Sequence, residues 1–122
     1  MGFERDFKCD RYWLPTFKAN SHSQMINITS NLVQSPVISY HDYIVAKSAI
    51  VGLARTMASE LDAFGIRVNA IAPGLTFPTD SIKFTLRDIR EKIVTQIPTD
   101  RLTTLEDISG TANFLAAHFL TI

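Results

Sequence analysis

Residues 24–30 read QMINITS and residues 66–74 read IRVNAIAPG, and these two stretches decide the fold. Both are short apolar runs rich in β-branched residues, which is typical of parallel strands buried on both faces. Between them, residues 42–64 carry apolar side chains at helical spacing, and Gly65 follows at the position where glycine commonly ends a helix. The order strand, helix, strand predicts a right-handed parallel unit of an α/β fold.

The helix predicted over residues 42–64 has a wide apolar surface, and Ser39 with Asp42 forms a plausible capping pair before it. One apolar stripe contains Ala46, Ile50, Leu53, Met57, Leu61 and Phe64, and a neighbouring stripe contains Val51, Ala54 and Ala58. Packing on a sheet alone does not need so much apolar surface. From the residues alone, the second stripe is interpreted as additional core.

The flanking segments are less regular. Residues 1–20 are aromatic, and Pro15 is expected to interrupt any helix there. Residues 31–41 read as a loop, and residues 80–97 read as one mobile lid helix. Residues 103–106 read TTLE, a capping box for a last helix. The apolar positions of the helix over 80–97 are Ile82, Leu86, Ile89, Ile93 and Ile97. Those of the last helix are Ile108, Ala112, Phe114, Leu115 and Phe119.

The composition of the chain limits the number of domains and the kinds of partner that can be expected. The 122 residues are 46% hydrophobic and 20% charged with zero formal net charge, which predicts one domain over residues 1–122 and neither a nucleic-acid nor a membrane partner. The single cysteine excludes an internal disulfide and fits a cytoplasmic protein. We find no apolar run of about 18 residues and no signal peptide. The histidines His22, His41 and His118 share no metal-ligand spacing, so no metal site is predicted.

Three polar residues form a candidate catalytic set. Lys47 lies one helical turn after Tyr43, so its ammonium falls on the same helix face as the phenol. A nearby positive charge favours the phenolate and so suits the tyrosine to proton transfer near neutral pH. Ser30, at the end of the first strand, is placed to hydrogen-bond a substrate oxygen. Taken alone, a Tyr-x-x-x-Lys pair is more often a helix-start aromatic and a solvated cation.

Ser30, the Tyr43-x-x-x-Lys47 pair and the block from Arg67-Val68-Asn69 to Pro73-Gly74, in this order and spacing, resemble the C-terminal half of the short-chain dehydrogenase/reductase family. The resemblance implies an NAD(P)-dependent oxidoreductase that interconverts a small-molecule alcohol and a ketone or aldehyde. It also implies a partial Rossmann-like, doubly wound parallel sheet.

The same resemblance implies the roles of the site residues. Tyr43 would be the acid/base, Ser30 would hold the substrate oxygen, and Lys47 would bind the nicotinamide ribose. The cofactor would also contact Tyr43 and the segment containing Pro73, Gly74 and Thr76. The family often adds an asparagine upstream, where this chain has Asp10 or no equivalent residue. The substrate, and the choice between NAD and NADP, cannot be read from these residues.

The family's Gly-rich phosphate-binding turn is not present in these residues. Glycines occur only at positions 2, 52, 65, 74 and 110, none of them clustered. We therefore expect a truncated domain over residues 1–122 that lacks the N-terminal nucleotide-binding half and the last strand, and that is inactive in isolation. The alternative is a non-catalytic relic that serves oligomerisation or partner binding. In either case open sheet edges and the helix over 42–64 predict a homo-oligomer.

Overall fold

The computed structural model describes residues 2–20, 23–83 and 85–117. Its helices are α1 (Gly2–Ala19), α2 (His41–Leu61), α3 (Asp80–Lys83), α4 (Arg87–Gln96) and α5 (Leu105–Ala116). Its strands are β1 (Gln24–Ile28), β2 (Arg67–Ile71), β3 (Thr76–Phe77) and β4 (Thr103–Thr104). Short 3-10 turns follow β1 at Asn31–Val33 and α2 at Asp62–Phe64.

Strands β1 and β2 pair in parallel and are joined by helix α2, which confirms the predicted strand–helix–strand unit. Met25 lies opposite Val68, and Ile28 lies opposite Ile71. A second parallel pair joins β3 to β4. Gly65 has a φ of 70°, in the left-handed region that glycine adopts without strain, and it ends α2 and its 3-10 extension as predicted.

Helices cover both faces of the β1–β2 sheet. On one face, α1 and α2 enclose the main core cluster of Met25, Met57, Leu61 and Ile66, against which Leu14, Phe17, Leu53 and Val68 pack. On the other face lies α5, because Gln24 donates from Nε2 to the Ala116 carbonyl and Arg67 donates to the Ala117 carbonyl. The partial doubly wound α/β architecture is therefore confirmed.

Two expectations about helix ends are wrong. Pro15 does not interrupt α1, because it removes a single helical hydrogen bond while Leu14 and Phe17 anchor the helix in the core on either side of it. Ser39 does not cap α2, since Tyr40 occupies the N-cap without a side-chain bond and Ser39 has a φ of 74°. Tertiary packing thus overrides both local signals.

The second half of the chain departs from prediction at residues 80–97. These residues form two helices, α3 and α4, instead of one, and Leu86 is 70% exposed at the break. The capping box before α5 is confirmed one residue later than predicted, with Thr104 as N-cap and Asp107 as its partner. Phe119, His22 and His118 lie outside the described residues.

In the described part of the chain, no helix is both long enough and apolar enough to span a bilayer. Among the same residues, no three or more His, Cys, Asp or Glu side chains gather into a group that could hold a metal ion.

Candidate functional site

The carboxyl ends of β1 and β2 lie together at one edge of the sheet. Pairing continues past both strands, because the Thr29 N–H donates to the Ile71 carbonyl at 2.8 Å and the Asn31 N–H donates to the Pro73 carbonyl at 3.1 Å. Ser30 lies between these two bonds and is therefore held beside Pro73. Ligands of open parallel sheets bind beyond the carboxyl ends of the strands, so this edge is the candidate site.

Ser30 is buried, extended in backbone conformation, and caps the 3-10 turn that follows β1. Its Oγ accepts a hydrogen bond of 3.2 Å from the Leu32 N–H. A hydroxyl has one donor and two acceptor lone pairs. The bond from Leu32 uses acceptor capacity and leaves the O–H proton to be donated, which suits Ser30 to bind an oxygen atom such as that of a carbonyl.

Tyr43 and Lys47 lie on one face of α2, with Nζ 5.7 Å from the centroid of the phenol ring. The Tyr43 ring is 45% exposed and meets the Tyr40 ring edge-on at 6.3 Å. A cation at this distance over an aromatic ring is within range of an attractive electrostatic interaction. The pair therefore presents a partly exposed phenol with a positive charge beside its ring.

Two hydrogen bonds join α2 to the end of β1. The Lys47 Nζ donates to the Ile28 carbonyl at 2.9 Å, and the Thr29 Oγ1 donates to the Lys47 carbonyl at 3.1 Å. The helix turn that carries Tyr43 and Lys47 is thereby set against the strand end that precedes Ser30. Sequence reasoning missed Ile28 and Thr29, because a backbone carbonyl has no sequence signature and a strand threonine has many other roles.

The segment after β2 is held by its own hydrogen bonds. The Thr76 hydroxyl is buried and donates to the Gly74 carbonyl at 3.0 Å, while the Leu75 carbonyl accepts from the Thr103 N–H at 3.2 Å. A β-carbon on Gly74 would lie 3.5 Å from the Asn31 Nδ2, so the Asn31 side chain lies directly against Gly74. Because its hydroxyl proton is already donated, the Thr76 side chain has only acceptor lone pairs to offer a ligand.

Asp10 lies on α1 and is partly buried. The hydrogen bonds that connect Ser30, Lys47 and the strand ends do not include it. The choice between Asp10 and no fourth catalytic residue therefore stays open.

The sequence of the chain is similar to those of known oxidoreductases. A family model described as enoyl-(acyl carrier protein) reductase matches residues 7–121. The chain is 32% identical to the 3-oxoacyl-[acyl-carrier-protein] reductase of Staphylococcus epidermidis over 111 residues, which are 91% of this chain and 45% of that protein. It is 39% identical to the 2-dehydro-3-deoxy-D-gluconate 5-dehydrogenase of Bacillus subtilis over 98 residues, which are 80% of this chain and 39% of that protein.

A solved structure agrees with the sequence matches. The crystal structure of a 3-oxoacyl-[acyl-carrier protein] reductase from Brucella melitensis superposes with a TM-score of 0.82 at 28% sequence identity. The match covers 94% of this chain and 44% of that one. The chain thus spans less than half the length of these relatives.

Proposed function

Because the chain belongs to the short-chain dehydrogenase/reductase family, we propose that it is the catalytic part of an NAD(P)-dependent oxidoreductase. The reaction is the interconversion of a small-molecule alcohol and a ketone or aldehyde. One observation carries the proposal: hydrogen bonds join Lys47, and with it the helix turn bearing Tyr43, to the strand end that precedes Ser30. Ser30, Tyr43 and Lys47, which are separated in the sequence, thus lie at the same edge of the sheet.

In the reduction direction, Tyr43 donates its phenolic proton to the carbonyl oxygen of the substrate. The Lys47 Nζ lies 5.7 Å from the centroid of the Tyr43 ring, so its positive charge stands beside the side chain that gives up the proton. Ser30 donates its hydroxyl proton in a hydrogen bond to the same oxygen and holds it in place, since the bond accepted from Leu32 leaves that proton unused. In the oxidation direction the proton returns from the alcohol to Tyr43.

A nicotinamide cofactor, NAD or NADP, would supply or accept the hydride. The residues present fit its nicotinamide–ribose end. Lys47 uses one of its three N–H donors on Ile28 and has two more for ribose hydroxyls. The backbone at Pro73, Gly74 and Thr76 borders the same edge. The pyrophosphate end needs a Gly-rich turn and a helix N-terminus, and these 122 residues contain no such turn.

We therefore propose that residues 1–122 form a truncated family domain that does not turn over without a cofactor-binding half. The loop after Ser30 exposes Val37, Ile38 and Tyr40, which favours a substrate with an apolar substituent beside the reacting carbon. The zero net charge supports neither a nucleic-acid nor a membrane partner, and we propose a cytoplasmic location.

The test is to restore the missing half. A chimera that joins the cofactor-binding half of the Staphylococcus epidermidis reductase to residues 1–122 should reduce ketones with NADH or NADPH. Tyr43→Phe should abolish this reduction, whereas Tyr40→Phe, a change of the neighbouring ring, should leave most of it. A folded chimera that binds cofactor and reduces no member of a ketone panel would contradict the proposal.

The second candidate function is a non-catalytic oligomerisation module. The exposed aromatic residues of α1, Phe7, Tyr12 and Trp13, favour it, since large exposed apolar side chains often mark contact surfaces. The expected small-residue stripe of α2 is only in part available, because Ala54 is 6% exposed and is packed inside the single chain. Ala58 and Val51 are half-buried and remain candidates for contact with a second copy.

A further inference from the structure

A cleft that the candidate site does not use lies beside helix α4, and we call it the α4 cleft. Its volume is about 490 Å³, within the range of small-molecule sites, which is roughly 300–1,000 Å³. Its apolar walls come from β3, α3, α4 and the residue before β4, and consist of Phe77, Ile82, Val94 and Leu102. Ser30, Tyr43 and Lys47 are not among the described residues that line it.

Helix α4 turns one face to this cleft. The side chains on that face recur at a spacing of three or four residues, which places them on one side of the helix. No residue of α4 is fully buried, although Ile82 on the opposite wall is only 4% exposed. The cleft thus has a packed wall on one side and a helix face on the other that the chain itself leaves partly uncovered.

The charges that line the cleft do not cancel. Arg87 donates from Nε to the Glu91 Oε1 at 2.9 Å, so these two opposite charges are paired with each other. The Arg90 Nε is buried and has no hydrogen-bond acceptor among the described residues. Native proteins rarely leave a buried donor unpaired. One positive charge therefore remains uncompensated among the described residues of the cleft.

We propose that the α4 cleft binds a small monocarboxylate with an apolar substituent. The carboxylate accepts hydrogen bonds from the Arg90 guanidinium, whose planar shape matches two carboxylate oxygens. The substituent packs against Phe77, Val94 and Leu102. This site goes beyond the proposed reaction, since no step of that reaction uses these residues.

The charge of the cleft selects a monoanion. With Arg87 and Glu91 paired, the single charge of Arg90 balances one carboxylate. A phosphate monoester carries about −1.5 to −2 at neutral pH, and its excess charge would lie in the same cleft as the Glu91 carboxylate. The apolar walls require that the rest of the ligand be uncharged, because burying a second charge without a partner is costly.

Chemical-shift titration of ¹⁵N-labelled residues 1–122 with octanoate locates the site without relying on activity. The amides of Arg90, Val94 and Leu102 should shift, whereas those of Ser30 and Tyr43 should not. Shifts centred on Ser30 and Tyr43 instead would overturn the α4 cleft as the site.

Three further ligands separate the charge from the apolar chain. Octanoate should bind at least about tenfold more tightly than 1-octanol, which lacks the charge, and than acetate, which lacks the chain. Equal affinity for 1-octanol would reduce the site to an apolar surface, and equal affinity for acetate would reduce it to an ion contact. Either result would overturn the proposal. Octyl phosphate should bind no more tightly than octanoate, and tighter binding would contradict the assignment to a monocarboxylate.

A pair of variants tests Arg90 itself. Arg90→Gln keeps much of the side-chain stem and removes the charge, so octanoate should bind at least about tenfold more weakly while 1-octanol binding stays the same. Lys92→Gln removes an exposed positive charge from α4 outside the cleft lining and should change neither affinity. Thermal unfolding checks that both variants fold. Unchanged octanoate affinity in folded Arg90→Gln would overturn the role of Arg90. The comparison of octanoate with 1-octanol needs no substitution, so it decides the proposal if that variant does not fold.

Discussion

The Lys47 Nζ and the Ile28 carbonyl oxygen are 2.9 Å apart, and the Thr29 Oγ1, in the residue that follows β1, donates a hydrogen bond to the Lys47 carbonyl. Helix α2 is therefore joined to the strand end through both the side chain and the backbone of one lysine. This double link sets the position of Tyr43 relative to Ser30.

The first prediction concerns Thr29. Thr29→Val keeps the side-chain shape but leaves the Lys47 carbonyl without its buried donor, so the free energy of unfolding should fall by about 0.5–1.5 kcal/mol. Urea unfolding followed by circular dichroism measures it. Thr56→Val is the matched control, because the Thr56 hydroxyl bonds within α2 at an exposed position. Equal losses in both variants would mean that the link between helix and strand contributes little.

The second prediction concerns Asn27. Asn27→Leu removes the buried Nδ2 that has no partner among the described residues and puts an apolar side chain of similar volume in its place. We expect the isolated chain to gain about 1–3 kcal/mol in unfolding free energy, since an unsatisfied buried polar group costs about that much. The measurement is again urea unfolding, with the exposed Asn113→Leu as control. A less stable Asn27→Leu variant would show that the amide is satisfied in solution.

The third prediction concerns pH. Two contacts lower the pKa of the Asp107 carboxyl below its ordinary value of 3.8. The larger effect comes from the bidentate hydrogen bond of Arg101, and a smaller one from the hydrogen bond of the Thr104 backbone N–H. Because the folded pKa is the lower one, its contribution to stability is present above about pH 4 and is lost as pH falls through the folded pKa. Asp107→Asn should therefore flatten the acid limb of the melting temperature against pH. Asp88→Asn, at an exposed position on α4, should leave that limb unchanged.

The fourth prediction concerns cofactor binding by the isolated chain. Without a Gly-rich turn the pyrophosphate loses its amide donors, and a loss of about 4 kcal/mol raises the dissociation constant roughly a thousandfold. Calorimetry at micromolar concentrations should detect neither NADH nor NADPH binding to residues 1–122. Tight binding by this chain alone would contradict the assignment of the site to two halves.

The fifth prediction concerns assembly. Light scattering should show a dimer or larger species that forms through α2, and Ala58→Glu should weaken it while the chain stays folded. Ser59→Glu, at the adjacent exposed position, should have no effect. Ala54→Glu should instead unfold the chain, because Ala54 is packed inside the single chain. A monomer across a wide concentration range would contradict the predicted homo-oligomer.

Local signals in the sequence were sufficient where the structure depends on near neighbours. The two β-branched runs predicted β1 and β2, Gly65 predicted the end of α2, and the threonine pair at 103–104 predicted the start of α5 to within one residue. Each of these features rests on side-chain periodicity or on a cap within a few residues. The position of Lys47 one turn after Tyr43 follows in the same way from helix geometry.

Other features depended on contacts between segments distant in sequence. Pro15 lies inside a helix because the core packs Leu14 and Phe17 on either side of it, and the segment over 80–97 breaks where Leu86 is exposed. The partner of Lys47 was also decided by tertiary structure alone. Every residue has the same backbone carbonyl, so only the meeting of β1 with α2 could select that of Ile28.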